Sequence, residues 1–268
     1  MILPETKQDL ITTQKQKFIT DAVITAQDEL APQVFRLTVA APEIAKTAKP
    51  GQFVQIKIPG GEVLLRRPLG VADVDTVQGS VSFVYRVVGK GTAILSQAKV
   101  GEQVNILGAL GHGFDLTKKK PLLVGGGMGL SPLLFLAKYY SGKAEVLMGG
   151  KNEAEMFWPG LFRPYVSKIY ITTDDGSLGH KGFTVDLLPE LIKNRSYDGI
   201  FLCGPEIMME KAAQIAVTER VACEVSLERR MACGLGACLS CSLADAHGAR
   251  KKVCKDGPVF KAEEVFHP

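Results

Sequence analysis

Residues 121–132 read PLLVGGGMGLSP, and they indicate the class of fold. An apolar strand runs into a glycine-rich turn, and a helix follows that Ser131 can cap and Pro132 can begin. This order is typical of a nucleotide-binding α/β unit, although the third glycine of G-x-G-x-x-G is missing. Glycine turns that serve packing alone look the same, so both interpretations stay open for the turn itself.

Downstream of this stretch, apolar strands alternate with helical segments as far as residue 228. Such alternation predicts a parallel sheet with helices on both faces. Ligands of open parallel sheets bind beyond the carboxyl ends of the strands. The residues predicted to bind a nucleotide at this edge are Gly126, Gly127, Gly129, Cys203, Gly204 and Pro205. Asp174 and Asp175 follow another strand there, and either ribose binding or capping of the loop would explain them.

Upstream, six short β-branched segments lie between residues 19 and 108, separated by turn signals such as Lys49-Pro50-Gly51. This spacing predicts a small antiparallel barrel. The pattern changes near residue 118. We therefore predict an N-terminal arm at 1–17, a barrel domain at 18–117, an α/β domain at 118–228, and a cysteine-bearing segment with a tail at 229–268.

Three features of the barrel half suggest a flavin nucleotide. Arg67 precedes a proline near a strand, where its guanidinium can donate two hydrogen bonds to a phosphate. Tyr85 offers a ring, and Gly91-Thr92 open a helix whose first N–H groups attract anions. For Arg66 and Arg67 alone, a solvated basic pair is an equally good interpretation.

Four of the six cysteines are crowded between residues 233 and 254. Cys233, Cys238 and Cys241 form C-x4-C-x2-C, and Cys254 follows, which is the plant-type spacing for a [2Fe–2S] cluster. Gly234 and Gly236 permit positive φ and let backbone N–H groups approach the sulfurs. The alternatives are a structural zinc site and unligated core cysteines. We expect His247 to be a solvated loop residue, and Cys203 and Cys223 to act as small hydrophobic residues.

The composition of the chain excludes several classes of protein. The 268 residues are 46% hydrophobic and 22% charged, with a net charge of +4, which excludes a disordered chain and gives no reason to expect nucleic acid as a partner. No apolar run is long enough to span a membrane. The first residues lack the apolar core of a signal peptide, so we expect a cytoplasmic protein with reduced thiols. Nothing resembles a Ser-His-Asp or paired-carboxylate catalytic site.

Five motifs occur in one order: L-L-R-R-P, Y-R-V-x-G-x-G-T, L-G-x-x-G-x-G-F, E-R-R-M-A-C-G-x-G-A-C-x-x-C and V-C-x-D-G-P-V-F. The barrel and nucleotide domain resemble the ferredoxin–NADP reductase superfamily. The full set closely resembles the electron transfer subunits of dihydroorotate dehydrogenase B, over about residues 18–266. The last two motifs are the most specific.

This resemblance implies an oxidoreductase subunit of pyrimidine biosynthesis with FAD, one [2Fe–2S] cluster and NAD as electron acceptor. Its partner would be an FMN-containing catalytic subunit that holds the orotate site, in a heterotetramer of two copies of each. The implied cluster ligands are Cys233, Cys238, Cys241 and Cys254. The implied FAD contacts are Arg67, Pro68, Leu69, Gly70, Val84, Tyr85, Arg86, Gly91 and Thr92.

The chain departs from the family pattern at three places. The family usually has serine where Gly70 stands, asparagine where His112 stands, and G-V-P-P around residues 130–132. Two other functions stay open. One is a reductase subunit of a ferredoxin, hydrogenase or sulfite reductase complex, although such subunits usually lack D-G-P-V-F. The other is a zinc-stabilised binding module without a redox role.

Overall fold

The computed structural model describes residues 18–266, so the predicted N-terminal arm lies outside the described residues. Two seven-stranded sheets follow one another along the chain, and a two-stranded hairpin lies in the cysteine-bearing segment. Within this described part, every helix is too short or too polar to cross a membrane.

The first sheet is antiparallel throughout, in the order β4-β3-β7-β1-β2-β6-β5. The N–H of Val71 bonds to the carbonyl of Gln52, and the N–H of Ala72 bonds to that of Ser82, so the chain passes from one sheet edge to the other. This closes the sheet into the predicted barrel. Its elements are β1 (Phe18–Ala31), β2 (Val34–Ala40), α1 (Pro42–Thr47), β3 (Phe53–Lys57), β4 (Arg67–Gly70), β5 (Asp73–Asp75), β6 (Ser80–Arg86), α2 (Lys90–Ser96) and β7 (Gln103–Leu110).

Two details of the barrel differ from the prediction. One of the six predicted β-branched segments, residues 69–75, divides between β4 and β5 because Val71 and Ala72 turn the buried corner between the sheet edges. Helix α1 was missed, although Pro42 at its start and Glu43 in its first turn are typical signals for a helix N-terminus.

The second sheet has the order β11-β10-β9-β8-β12-β13-β16, and all its pairs are parallel except that of β13 with β16. The α/β prediction is thus confirmed. All strand pairs within residues 118–228 are parallel, as predicted, and the C-terminal tail adds one antiparallel edge strand, β16, that the sequence did not reveal. The elements are β8 (Pro121–Gly126), α3 (Leu130–Tyr140), β9 (Glu145–Gly150), α4 (Trp158–Phe162), β10 (Lys168–Thr173), β11 (His180–Lys181), α5 (Thr184–Asn194), β12 (Gly199–Cys203), α6 (Glu206–Thr218), β13 (Cys223–Ser226), β14 (Ser242–Ala244), β15 (Arg250–Lys252), α7 (Val253–Asp256), β16 (Val259–Lys261) and α8 (Ala262–Val265).

Successive residues of the central strands enter two cores, one on each face of this sheet. Leu122 and Val124 pack on the α5–α6 side, whereas Leu123 packs on the α3–α4 side. The first core extends through Phe53 of the barrel to Cys254 of the cysteine-bearing segment. The three parts of the chain are therefore joined by continuous apolar packing.

Helix α3 fastens the nucleotide-type domain to the barrel. Phe135 packs into the barrel core, and Lys138 Nζ lies 2.7 Å from Asp73 Oδ1. Ser131, predicted as a helix cap, instead lies inside the helix, which begins two residues earlier than predicted, at Leu130. Its buried hydroxyl donates to the carbonyl of Val84 at 3.1 Å. Pro132 is tolerated in this first turn since its nitrogen would have no intrahelical acceptor there.

A buried carboxylate ties β9 to its neighbours. Glu145 accepts hydrogen bonds from Tyr197 at 2.6 Å, Tyr170 at 2.8 Å and Arg195 at 2.7 Å. Burial acts to raise the pKa of Glu145, but these donors and the charge of Arg195 outweigh it and hold the pKa below its ordinary 4.5. The ionised carboxylate is thus a stabilising group of the folded state.

We expect Glu145→Gln to lower the free energy of unfolding by about 1.5–3 kcal/mol at pH 7, because hydrogen bonds to a charged group are lost. Because the pKa of Glu145 is lower in the folded state, its ionised carboxylate stabilises the fold at pH values above its unfolded-state pKa. This stabilisation is lost as the pH falls through the folded-state pKa. Urea unfolding at stepped pH should therefore show an acid-dependent stability loss that is smaller in the variant. Equal stability of both proteins at pH 7 would contradict this account.

Candidate functional site

The cysteine-bearing segment is held at both ends. Antiparallel pairing of β13 with β16 brings the ends together, and the N–H of Leu227 bonds to the carbonyl of Pro258 at 2.9 Å. At its start, Arg229 makes a bidentate ion pair with Glu206, with both distances 2.9 Å. All four clustered cysteines lie between these fixed ends.

The four thiols lie close enough to influence one another. Cys233 interacts with Cys238, and Cys254 interacts with Cys241 and also with Cys233. Cys241 and Cys254 are buried, whereas Cys238 is exposed. The group therefore has one side against the protein core and one side at the surface.

Backbone N–H groups point at these sulfurs, as the glycine pattern predicts. Leu235 donates to Cys233 Sγ at 3.3 Å, and Gly236 donates to Cys254 Sγ at 3.2 Å. Gly234 and Gly236 have φ of +70° and +83°. These left-handed conformations fold the loop back over the thiols and favour glycine.

The acidity of the thiols follows their surroundings. Hydrogen bonds from Ser240, with others from Cys233, lower the pKa of Cys238 to about 6. Burial, reinforced by Cys241, raises the pKa of Cys254 to about 12. A bound cation must therefore supply the charge that keeps the inner thiol deprotonated.

Across residues 18–266, the structure shows no group of three or more His, Cys, Asp or Glu side chains placed to hold a metal ion. The spacing of the four cysteines, C-x4-C-x2-C followed by Cys254, is what favours a [2Fe–2S] cluster over structural zinc.

The other candidate ligands lie elsewhere. His247 is exposed in a turn, as expected. Cys203 is buried in the core of the nucleotide-type domain, and burial raises its pKa. Cys223 packs against the other core, where burial raises its pKa to about 12. The raised pKa values fit the predicted role of these two cysteines as small hydrophobic residues.

A cleft of about 310 Å³ opens between the barrel and the second domain. It collects most of the predicted flavin contacts, namely Arg67, Pro68, Leu69, Gly70, Val84, Tyr85, Arg86 and Thr92. Gly91 lies behind them, where an ideal Cβ would be 2.6 Å from Arg67 Nε. The second domain contributes Met128, Ser226 and Glu228, and the cysteine-bearing segment contributes Met231, none of which the sequence predicted as flavin contacts.

The two adjacent arginines have different roles. Arg66 bonds to the backbone carbonyls of Gln55 and Asn105, so it is part of the barrel framework. Arg67 lies at the cleft, and its Nη1 donates to the carbonyl of Leu65 at 2.7 Å. Arg86 also lines the cleft, and its buried Nε lacks a partner. The cleft thus presents two guanidinium groups to an anionic occupant.

Tyr85 and Thr92 shape the cleft. The Tyr85 ring is buried and packs on Phe35 at a centroid distance of 6.0 Å, and its hydroxyl oxygen accepts a hydrogen bond from Gln27 Nε2 at 3.0 Å. Burial raises the pKa of Tyr85 to about 12, so it stays neutral. The Thr92 hydroxyl accepts from the N–H groups of Val88 and Gly89, and so fixes the turn that enters α2.

A second cleft, of about 370 Å³, lies at the carboxyl ends of β8, β9 and β10. Three of the residues predicted to bind a nucleotide line it, namely Gly126, Gly127 and Pro205. Gly129 lies behind the cleft wall, packed against the backbone of Cys203 and Gly204. Gly129, Cys203 and Gly204, which were also predicted to contact a nucleotide, therefore support the cleft rather than line it.

The two aspartates after β10 separate in role. Asp174 lines the second cleft, whereas Asp175 accepts from the backbone N–H and hydroxyl of Ser177 and caps its own loop. The sequence missed Phe183, an exposed aromatic ring beside this cleft, and Thr184, whose buried hydroxyl lacks a partner. No local motif marks either residue.

Glu228 is a further residue that the sequence did not reveal. It lines the first cleft and is exposed to it, yet the surrounding protein raises its pKa by desolvation. Its negative charge also contributes to the raised pKa of the Cys203 thiol at the end of β12. A titratable group thus stands where the two domains meet.

Known proteins match this chain over nearly its whole length. The iron-sulfur cluster binding domain of dihydroorotate dehydrogenase B matches residues 228–266. The dihydroorotate dehydrogenase B (NAD⁺) electron transfer subunit of Desulforamulus reducens is 38% identical, covering 92% of this chain and 98% of that protein. The subunit of the same name from Enterococcus faecalis is 38% identical over 94% of this chain and 98% of its own length.

Solved structures agree with the fold. A chain of an NADH-dependent reduced ferredoxin–NADP oxidoreductase, studied for flavin-based electron bifurcation, superimposes with a TM-score of 0.81 at 32% identity, covering 91% of this chain and 89% of that one. A ferredoxin–NADP⁺ reductase from Neisseria gonorrhoeae with bound FAD and NADP has a TM-score of 0.60 at 16% identity, covering 75% and 91%. The second likeness concerns the fold alone.

Proposed function

This chain belongs to the family of dihydroorotate dehydrogenase B electron transfer subunits, and from that premise we propose that it passes electrons from an FMN-containing catalytic subunit to NAD⁺ in pyrimidine biosynthesis. The observation that carries this proposal is that Cys241 and Cys254 pack into the same apolar core as Phe53, which lines the first cleft. The relatives' names favour this function over reductase subunits of ferredoxin, hydrogenase or sulfite reductase complexes.

We assign FAD to the first cleft. Arg67 and Arg86 supply positive charge for its pyrophosphate, and the partnerless Nε of Arg86 is a donor that an anionic group would satisfy. Strand β4 offers the backbone of Pro68, Leu69 and Gly70 along the cleft. Val84 and Tyr85 close the cleft from β6, while Gly91 and Thr92 hold the turn beside Arg67.

We assign NAD to the second cleft and the [2Fe–2S] cluster to Cys233, Cys238, Cys241 and Cys254. Gly126 and Gly127 leave room for a dinucleotide at the strand ends, and Pro205 borders it. When bound, FAD supplies hydride exchange with NAD and the cluster supplies one-electron transfer. The residues of this chain bind and orient these groups.

The cluster segment also fits a docking role. Exposed Cys238, Leu235 and Leu239 place one side of the thiol group at the surface, where a partner subunit can approach. We propose that the FMN-containing catalytic subunit docks here, in a heterotetramer of two copies of each chain. A cytoplasmic location is part of this proposal, since thiols stay reduced there.

We expect serine at any one of Cys233, Cys238, Cys241 and Cys254 to lower iron and sulfide content, because each replaces a ligand. The matched controls are Cys203→Ser and Cys223→Ser, which should keep full iron content because their thiols lie outside the group of four clustered cysteines. Iron and sulfide analysis of all six purified variants measures this. Full cluster content in Cys254→Ser would contradict the assignment.

Two glycines of the flavin cleft offer another test. A Cβ on Gly91 would meet the Arg67 guanidinium at 2.6 Å, whereas a Cβ on Gly70 would meet Pro132 at an ordinary 3.5 Å. We expect Gly91→Ala, like Arg67→Ala, to weaken FAD binding roughly 10- to 150-fold, the loss of a charge-assisted bond worth about 1.5–3 kcal/mol. Gly70→Ala is the control and should retain its flavin through gel filtration. Equal retention in all three variants would move the phosphate site elsewhere.

The function itself is tested by reconstitution. We expect the isolated chain to oxidise NADH with an artificial acceptor but not to turn over dihydroorotate, because 268 residues hold two domains and leave no room for an FMN-binding (βα)8 barrel. Adding the FMN-containing subunit should restore dihydroorotate-dependent NAD⁺ reduction. A cysteine variant that retains FAD but lacks the cluster should keep NADH oxidation and lose this coupled reaction. Coupled turnover at full rate without the cluster would overturn the proposed route.

A further inference from the structure

Gln55 is a buried polar side chain without a partner. It lies on β3 with none of its surface exposed, and neither Nε2 nor Oε1 has a hydrogen-bond partner. Only five buried side-chain nitrogen or oxygen atoms of residues 18–266 lack a partner, and two of them belong to this carboxamide. Burying an unpaired amide is unfavourable by about 1–3 kcal/mol, so its position calls for an explanation.

The carboxamide faces the loop that carries the first cysteine. An ideal Cβ on Gly234 would lie 3.0 Å from Gln55 Nε2 and 2.8 Å from its Cγ. Gly234 directly follows Cys233, and the N–H of Leu235 already donates to the Cys233 sulfur. Gln55 thus approaches, from the protein side, the loop whose backbone donates to a cysteine sulfur.

The same strand reaches the flavin cleft. Phe53 lines that cleft and lies two residues before Gln55, on the same face of β3 and about 7 Å away along the strand. Gln55 also pairs with Pro68 on β4, one of the residues that line the cleft. Its side chain therefore lies between the two cofactor sites assigned above.

We propose that Gln55 Nε2–H donates a hydrogen bond to a sulfur of the [2Fe–2S] cluster and thereby raises its reduction potential; this rests on the proposed function. The reduced cluster carries one more negative charge, so a donor at sulfur stabilises the reduced form more than the oxidised one. No hydrogen bond among the described residues fixes the carboxamide, so its NH2 group is free to face the sulfurs. Gln55 is a positioning residue of the barrel that acts on the cluster.

The test is a redox titration of the cluster in the holoprotein, followed by electron paramagnetic resonance. Gln55→Met keeps a similar volume and removes the donor. In this variant we expect the ratio of reduced to oxidised cluster at a given potential to fall about tenfold. This corresponds to a midpoint potential lower by about 59 mV for a one-electron couple. An unchanged potential at full cluster content would overturn the proposal.

Gln52→Met is the matched control. Gln52 is also buried, but its amide donates to the carbonyl of Gly111 at 2.8 Å and accepts from the N–H of Lys49 at 2.8 Å. Its loss should lower stability and leave the midpoint potential unchanged. An equal shift in both variants would assign the effect to general loosening and reject the specific role of Gln55.

A second measurement does not depend on a variant that folds. Wild-type protein labelled with 15N only in glutamine side chains should show a 15N coupling to the reduced cluster in pulsed paramagnetic resonance. A cluster signal without this coupling would overturn the role of Gln55 alone. Absence of any cluster signal would instead overturn the proposed function, so the two failures are distinguishable.

Discussion

The pairing of β13 with β16 is the constraint on which the site depends. It seats Val225 opposite Phe260 and brings residues 227 and 258 within hydrogen-bond distance. A loop that must place four thiols together loses much conformational entropy, and fixed ends reduce that loss. Phe260 and Cys254 pack into the same core as the central sheet, so the position of the thiols is fixed by that sheet.

This placement also makes the thiol group asymmetric. Its inner pair, Cys241 and Cys254, lies against apolar side chains, while Cys238 meets solvent and hydrogen-bonds with Ser240 at 3.2 Å. Burial and hydrogen bonding act on the two sides in opposite directions, as the raised pKa of Cys254 and the lowered pKa of Cys238 indicate. Cys241 and Cys254 would thus hold a bound cluster from the side of the core, and Cys238 would hold it at the surface.

Much of this was predictable from local patterns. The turn at 125–129 and the cysteine spacing are local in sequence; the turn joins β8 to α3, and the four cysteines lie in one segment between β13 and β16. The strand Val259–Lys261 was not predictable, because three residues carry no periodicity and only the free edge of β13 gives them a partner. Ser131 has the appearance of a cap, and only the approach of β6 shows that its hydroxyl bonds to Val84. Gln55 alternates like any strand residue, so its importance appears only when the distant loop at Gly234 is packed against it.

The hydrogen bond between the N–H of Leu227 and the carbonyl of Pro258 closes the two ends of the cysteine-bearing segment. Since adjacent antiparallel strands flank the cysteine-bearing segment, a short hairpin could replace residues 228–257 and leave the sheet order, both clefts' strands and the barrel in place. The segment is in this sense a cassette, inserted at a sheet edge without rerouting the chain. A lineage could acquire or discard a metal relay at this position while the surrounding two-domain scaffold stayed the same.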